Sequence, residues 1–199
     1  MKTIQLTLLG LLLIGSYSCK ETKKDADAAG DTMEENMDAM ADESDDMMGE
    51  KTLTVEMSPK SGSDVQGTVA FTQNNGEVTM SASFTGLAEG EHAIHIHENA
   101  DCSADDGTSA GGHWNPTDEQ HGKWGDAEGY HTGDIGNMTA DADGNATIEF
   151  TTDEWCIGCD DDKKNIIGHS VIVHDGADDF TSQPSGAAGS RVSCGEITE

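Results

Sequence analysis

Apolar and polar residues alternate along several short stretches of the chain, and turns rich in glycine, asparagine or aspartate separate these stretches. A period of two is typical of β-strands that bury one face. The pattern predicts strands over residues 52–57, 65–73, 78–84, 91–98, 138–140, 145–151, 166–174 and 191–197. Asn75-Gly76 favours a hairpin between the second and third strands, and Asp141-Ala142-Asp143-Gly144 favours one between the fifth and sixth.

Two long segments, residues 99–134 and 175–190, are rich in glycine and aspartate and lack sustained periodicity. A loop of that length in a compact domain is either functional or disordered. The sequence therefore predicts an all-β fold, a Greek-key β-sandwich or barrel of about eight antiparallel strands with two long functional loops. The composition agrees, because only 34% of the residues are hydrophobic and 24 of the 199 are glycine.

The N-terminus resembles an export signal, predicted over residues 1–18. Lys2 precedes an apolar run at residues 4–14 that is too short to span a bilayer. Cys19 follows this run as in a bacterial lipoprotein signal, which predicts a lipid anchor to the membrane, although a leucine-like residue is usual where Ser16 stands. An ordinary secretory peptide with an incidental cysteine is the alternative. Both interpretations predict an exported protein, and the lipoprotein interpretation predicts a bacterial cell envelope, in the periplasm or at the outer membrane.

Residues 19–51 are predicted to form a disordered tether, because they are dominated by Asp, Glu, Ala and Met and cannot build a core. Met33, Met37 and Met40 recur at helical spacing, so a copper-capturing arm is the alternative to a solvated linker. The globular domain is predicted over residues 52–199. The net charge of −29 excludes nucleic acid and anionic lipid head groups as partners, since both would be repelled.

The chain contains five cysteines, and lipidation of Cys19 would leave four. Four cysteines allow three connectivities, of which sequence separation favours a local Cys156–Cys159 pair and a distant Cys102–Cys194 pair. Disulfides are compatible with an exported chain. A structural disulfide is the simpler interpretation of Cys156-Ile157-Gly158-Cys159, and a redox-active or copper-receiving pair is the alternative.

His95 and His97 lie two residues apart in a predicted strand, so both side chains point to the same side, as two ligands of one metal would. Further residues that can bind metal complete a series, which reads His95, His97, His113, His121, His131, Asp134 and His174. Imidazole suits copper and zinc, and a mixed histidine and aspartate set suits zinc. One histidine would serve both metals through its two ring nitrogens. His92 is expected to pack or hydrogen-bond, and His169 is expected to be an ordinary residue at the end of a strand.

Five separated segments resemble copper/zinc superoxide dismutases, in the order found in that family, and the resemblance covers about residues 52–199. The segments are residues 90–98, 109–116, 131–137, 168–174 and 189–195. The resemblance implies one copper and one zinc per subunit. The implied copper ligands are His95, His97, His113 and His174, and the implied zinc ligands are His113, His121, His131 and Asp134.

The resemblance also implies roles for residues around the metals. Asp178 would orient one histidine on each metal, Arg191 would attract the anionic substrate, and Cys102 would pair with Cys194. The implied activity is dismutation of superoxide, with His113 and Arg191 as the catalytic residues. A non-catalytic copper- and zinc-buffering protein of the envelope is the alternative. A homodimer and a copper-donating partner are left open.

Overall fold

The computed structural model describes residues 50–199, so the predicted signal, Cys19 and nearly all of the predicted tether lie outside the described residues. Eight strands follow one another along this part of the chain. Their bounds are Lys51–Pro59 (β1), Gln66–Asn74 (β2), Glu77–Thr85 (β3), Gly90–His97 (β4), Asp134–Ala140 (β5), Ala146–Thr152 (β6), Ser170–His174 (β7) and Arg191–Glu196 (β8). A single turn of 3-10 helix spans Thr108–Ala110.

The β2–β3 hairpin forms where the sequence predicts it. Asn75 and Gly76 both have positive φ angles, of 51° and 85°, and Asn74 pairs with Glu77 across this two-residue turn. Such a turn matches the twist of the strands, and asparagine and glycine tolerate the required backbone. Along β3 the buried side chains alternate with exposed or half-buried ones, which is the pattern from which the strand is predicted.

All strand pairs are antiparallel, in the order β5-β4-β7-β8-β1-β2-β3-β6. Cα atoms of β5 and β6, the two ends of this order, approach within 8 Å, so the sheet forms a nearly closed barrel. Its interior is filled by large apolar side chains such as Phe71, Met80, Phe84 and Ile96. The predicted all-β architecture of about eight antiparallel strands is confirmed.

Two predictions about the second half of the chain are wrong. β5 and β6 form no hairpin ladder, because β5 pairs with β4 and β6 pairs with β3. The bond from the Asp141 amide to the Asn145 carbonyl belongs to the turn between them and lies outside both strands. The strand predicted over residues 166–174 begins only at Ser170, after Gly168 at a φ of 95°. Residues 153–169 therefore form a third long connection.

Two disulfides stabilise these connections, and one of them ties a loop to the barrel. The predicted Cys102–Cys194 pairing is confirmed, and it joins the first long loop, residues 98–133, to β8 across 92 positions. Cys156–Cys159 closes a short turn in the connection between β6 and β7. No helix among the described residues is long and apolar enough to cross a membrane.

Candidate metal centre

β4 carries two buried histidines into the site. His95 and His97 lie on this strand between β5 and β7, and they are 0% and 1% exposed. His174 ends the neighbouring strand β7. His113 comes from the first long loop and forms an isolated antiparallel bridge with His97, which draws the loop onto β4.

These four histidines form a first group. One ring nitrogen of each lies within 4.8 Å of the corresponding nitrogens of the others. The rings of His95 and His113 are closest, with centroids 4.0 Å apart. The group satisfies the basic requirement for a metal site, which is several ligand atoms converging on one point.

A second group shares His113 and adds His121, His131 and Asp134, again with ligand atoms within 4.8 Å of one another. Asp134, the first residue of β5, places one carboxylate oxygen 2.7 Å from Nδ1 of His113 and the other 2.9 Å from Nδ1 of His121. Nδ1 of His131 is 3.3 Å from the first oxygen. All four side chains are buried.

Buried nitrogens without a hydrogen-bond partner show that these groups fit metal ions. In the first group they are Nδ1 of His95 and Nε2 of His97, His113 and His174. A buried polar atom without a partner is unfavourable, and four that converge on one point are explained if they bind a common cation. His113 presents Nε2 to the first group and Nδ1 to the second, so it can bridge two metals.

Hydrogen bonds on the outer side of the rings fix which nitrogen faces each group. Nε2 of His95 and Nε2 of His121 donate to the two carboxylate oxygens of Asp178, at 2.8 and 2.9 Å. Nδ1 of His97 donates to the Gly111 carbonyl at 3.0 Å. The opposite nitrogens of His95 and His97 are therefore left with their lone pairs free for a metal, whereas Nδ1 of His121 lies 2.9 Å from a carboxylate oxygen of Asp134.

Burial lowers the pKa of His113 to about 4 and the pKa of His174 to about 3, and it holds the pKa of His97 well below 6.5. Burial also lowers the pKa of His121, but its bonds to Asp134 and Asp178 outweigh this effect and raise the pKa to about 9. Burial raises the pKa of the Asp134 and Asp178 carboxyls, but hydrogen bonds from the histidines outweigh burial and hold both pKa values well below the usual range. Three histidines of the first group are therefore neutral near pH 7.

Solvent reaches the first group through a cavity of about 500 Å³ lined by His97, His113, His174 and Arg191. Arg191 begins β8, and its two terminal nitrogens donate to the carbonyls of Gly107 and Gly111, each at 2.7 Å. Burial lowers the pKa of Arg191, but a guanidinium keeps its charge at neutral pH. The cavity thus holds a fixed positive charge beside the first group.

Residues 65–197 match the model of the family described as copper/zinc superoxide dismutase. This chain belongs to the copper/zinc superoxide dismutase family.

Relatives in this family come from animals and bacteria. A Cu-Zn superoxide dismutase of Xenopus laevis is 38% identical over 141 residues, covering 67% of this chain and 89% of the relative. One from Haemophilus parainfluenzae is 35% identical over 155 residues, covering 71% and 78%. An extracellular one from Caenorhabditis elegans is 36% identical over 137 residues, and the match spans 66% of this chain but only 60% of the nematode protein.

Two solved structures share this fold under descriptions other than superoxide dismutase. A double mutant of a SOD-like protein from Bacillus subtilis superimposes with a TM-score of 0.66 at 30% identity, covering 73% of this chain and 97% of the other. The clock protein EA4 superimposes with a TM-score of 0.65 at 32% identity, covering 74% and 93%. The fold is therefore shared by proteins with different descriptions, so function has to be argued from the site.

The structure brings all seven predicted metal ligands into the two groups. Asp178 hydrogen-bonds two of them, and Arg191 lies in the adjoining cavity. The other predicted cysteines form the two disulfides, and Cys19 lies outside the described residues. His92 instead hydrogen-bonds the carbonyls of His174 and Ala88, as expected for a structural histidine. The sequence did not predict a role for Gln183. Its side-chain oxygen accepts from the backbone N–H of His121 at 2.9 Å, and its side-chain nitrogen donates to the backbone carbonyl of His121 at 2.8 Å. The sequence also did not predict the role of the Gly111 carbonyl, because contacts to backbone leave no residue-type signal.

The metal-free superoxide dismutase domain is expected to be most stable near pH 6.5. His97, His113 and His174 have a lowered pKa in the fold but protonate near 6.5 when unfolded, so stability is lost as the pH falls below 6.5. His121 has a raised pKa of about 9 in the fold, so its protonated form stabilises the fold at low pH. That stabilisation is lost as the pH rises from 6.5 through 9. Urea unfolding midpoints across this range measure the optimum, and a midpoint that rises steadily towards either extreme would contradict it.

Proposed function

We propose that this chain is a superoxide dismutase that holds copper at the first group and zinc at the second. The observation that carries the proposal is the shared His113, with Nε2 in a group of four imidazoles and Nδ1 beside the carboxylate of Asp134. An all-imidazole set suits copper, and three imidazoles with one carboxylate suit tetrahedral zinc. Family membership supports the same pair of metals.

The proposed reaction converts two superoxide anions and two protons into oxygen and hydrogen peroxide. Copper, when bound, supplies the one-electron oxidation and reduction, which zinc cannot perform. The chain itself supplies charge and proton positions. Arg191 attracts and orients the anion in the cavity, and Nε2 of His113 is the proposed position for a proton of the second half-reaction. Asp178 and Asp134 keep the rings in their orientations.

Arg191→Ala is expected to lower kcat/KM for superoxide by about 10-fold or more, because it removes the fixed cation that concentrates the anion in the cavity. Arg191→Lys is the matched control for charge, since it keeps the cation but cannot hold the Gly107 and Gly111 carbonyls with a planar fork. Pulse radiolysis of the copper- and zinc-loaded proteins measures the effect. An alanine variant as fast as the wild type would remove Arg191 from the mechanism.

Salt should not slow this enzyme. The net charge is −29, the second long loop (residues 175–190) contains no lysine, and Glu98, Asp118 and Glu119 line the same cavity as Arg191. Added salt screens the repulsion of superoxide by the whole protein as well as the local attraction by Arg191. The second-order rate constant is therefore expected to stay level or rise as ionic strength increases to about 0.15 M. A steep fall measured by pulse radiolysis would contradict this expectation.

Metal analysis combined with a dismutase assay tests the function itself. The purified full-length protein is expected to hold one copper and one zinc, to lose activity on chelation, and to regain it when both metals return. A fully loaded protein without activity would instead support the copper- and zinc-buffering alternative. Protein that carries zinc at both groups is expected to be inactive in this assay, because zinc has no redox chemistry.

We also propose that residues 1–18 form an export signal, that Cys19 carries the lipid anchor, that residues 19–51 are a tether and that residues 52–199 are the dismutase domain of a bacterial envelope protein. The two disulfides and a relative named as extracellular support export. Mass spectrometry of the protein from membranes should find the chain starting at a lipid-modified Cys19. A chain that is soluble after export and carries no lipid would overturn the anchor. A homodimer and a copper-donating partner stay open.

A further inference from the structure

Trp155 contacts the segment that contains two residues of the second group. Its side chain is buried at 1% exposure, and its indole N–H donates to the Thr132 carbonyl at 2.9 Å. Thr132 lies between His131 and Asp134 in the sequence, and the Asp134 amide closes a turn onto the His131 carbonyl at 3.0 Å. Within residues 50–199, no other donor bonds the Thr132 carbonyl.

The position of Trp155 is fixed by aromatic packing on several sides. Its ring centroid is 5.1 Å from that of Phe150, 5.9 Å from that of Trp124 and 6.2 Å from that of Phe71. Phe71 and Phe150 belong to β2 and β6, so Trp155 is held by the barrel wall. An indole packed in this way has little freedom to follow the first long loop if that loop moves.

The Cys156–Cys159 disulfide fixes the backbone directly after Trp155. The Cys156 amide donates to the Lys164 carbonyl at 2.7 Å, and the Cys156 carbonyl accepts from the Ile166 amide at 3.0 Å. The Ile157 amide donates to the side chain of Gln73 on β2 at 2.7 Å. The cysteine pair therefore closes a turn that is attached to the barrel at several points, and Trp155 is the first residue before that turn.

We propose that Trp155 is a positioning residue for zinc, and that the Cys156–Cys159 disulfide anchors it. The proposal rests on the assignment of zinc to His113, His121, His131 and Asp134. By holding the Thr132 carbonyl, Trp155 fixes the turn that sets the distance between His131 and Asp134 before the metal arrives. Ligands that are already in position bind a metal more tightly than ligands that must first be ordered, and partners beyond the ligands typically change metal affinity by about 10- to 100-fold.

The test measures zinc and copper affinities of the full chain by chelator competition. Trp155→Phe keeps an aromatic ring but removes the indole N–H. It is expected to weaken zinc binding by about 10-fold or more, with a changed visible spectrum when cobalt replaces zinc, while copper affinity at the first group stays close to that of the wild type. Trp124→Phe is the matched control, because it alters the same aromatic cluster, and no hydrogen bond of its indole occurs within residues 50–199.

A second variant keeps the test independent of how well Trp155→Phe folds. Cys156→Ser combined with Cys159→Ser keeps Trp155 but removes the disulfide that anchors it. Zinc affinity of this double variant is expected to fall, but by less than that of Trp155→Phe. Wild-type zinc affinity in Trp155→Phe, or equal losses of both metals, would overturn the positioning role. Wild-type zinc affinity in the cysteine variant would overturn the anchor. If the wild-type protein itself binds no zinc at the second group, the proposed function fails instead.

Discussion

The His113→Ala variant is expected to lose at least about 100-fold in dismutase activity, because substitutions one step further from a metal already change activity or affinity by about 10- to 100-fold. His113 is the residue that belongs to both groups, so its loss removes one ligand from each. Both copper and zinc contents of the purified variant should therefore fall. Pulse radiolysis and metal analysis of the same preparation measure the two effects together.

His169→Ala is the matched control for this substitution. His169 is a histidine of the same barrel that belongs to neither group; its Nδ1 donates to the Glu98 carbonyl at 2.8 Å, and its ring stacks on Trp114 at 4.4 Å. This variant should keep both metals and most of its activity. A His113→Ala protein that retains full metal content and the wild-type rate would contradict the shared role of His113.

Removing the long-range disulfide should have the largest effect on stability. Cys102 and Cys194 are 92 positions apart, and in the chain-entropy model closing a loop of that length stabilises the fold by about 4–5 kcal/mol. The variant with Cys102→Ser and Cys194→Ser should therefore unfold at a much lower urea concentration. Metal-free protein is the right sample, because bound metals would add their own stabilisation.

The second disulfide gives the matched control for this prediction. Cys156 and Cys159 are only 3 positions apart, so the same model assigns their bond about 2 kcal/mol. The two double variants remove the same number of sulfur atoms and differ mainly in the length of chain that each bond closes. Equal losses in the free energy of unfolding would show that loop length does not determine the contribution of either disulfide.

Local sequence signals predicted the parts of the fold that depend on neighbouring residues. Asn75-Gly76 specifies its own turn, and the alternation along β3 specifies which side chains face the core. The signal at residues 141–144 was equally local, and its turn forms, but the strands on either side pair with β4 and β3 instead. Pairing partners depend on the closure of the whole barrel, which a short turn motif does not encode.

The metal site, like the fold, combines features that neighbouring residues predict with features that depend on the whole structure. The spacing of His95 and His97 predicted that both would point to one side of a strand, and the structure has both in the first group. The seven candidate ligands were recognised as residue types that bind metal, but their division between copper and zinc came from resemblance to a family, because nothing local relates His174 to His95. Which ring nitrogen faces the metal depends on Asp178 and on the Gly111 carbonyl. Those contacts form only after both long loops fold onto the barrel, so the sequence alone could not assign them.

The near-closure of the barrel also bears on how molecules of this protein meet one another. An open sheet exposes unpaired amides and carbonyls along its last strands, which can template growth by strands from other molecules, and many proteins block such growth with lysine or proline there. β5 and β6 contain neither residue. Because these two strands lie against each other, fibre-like assembly through the eight described strands would first have to separate them.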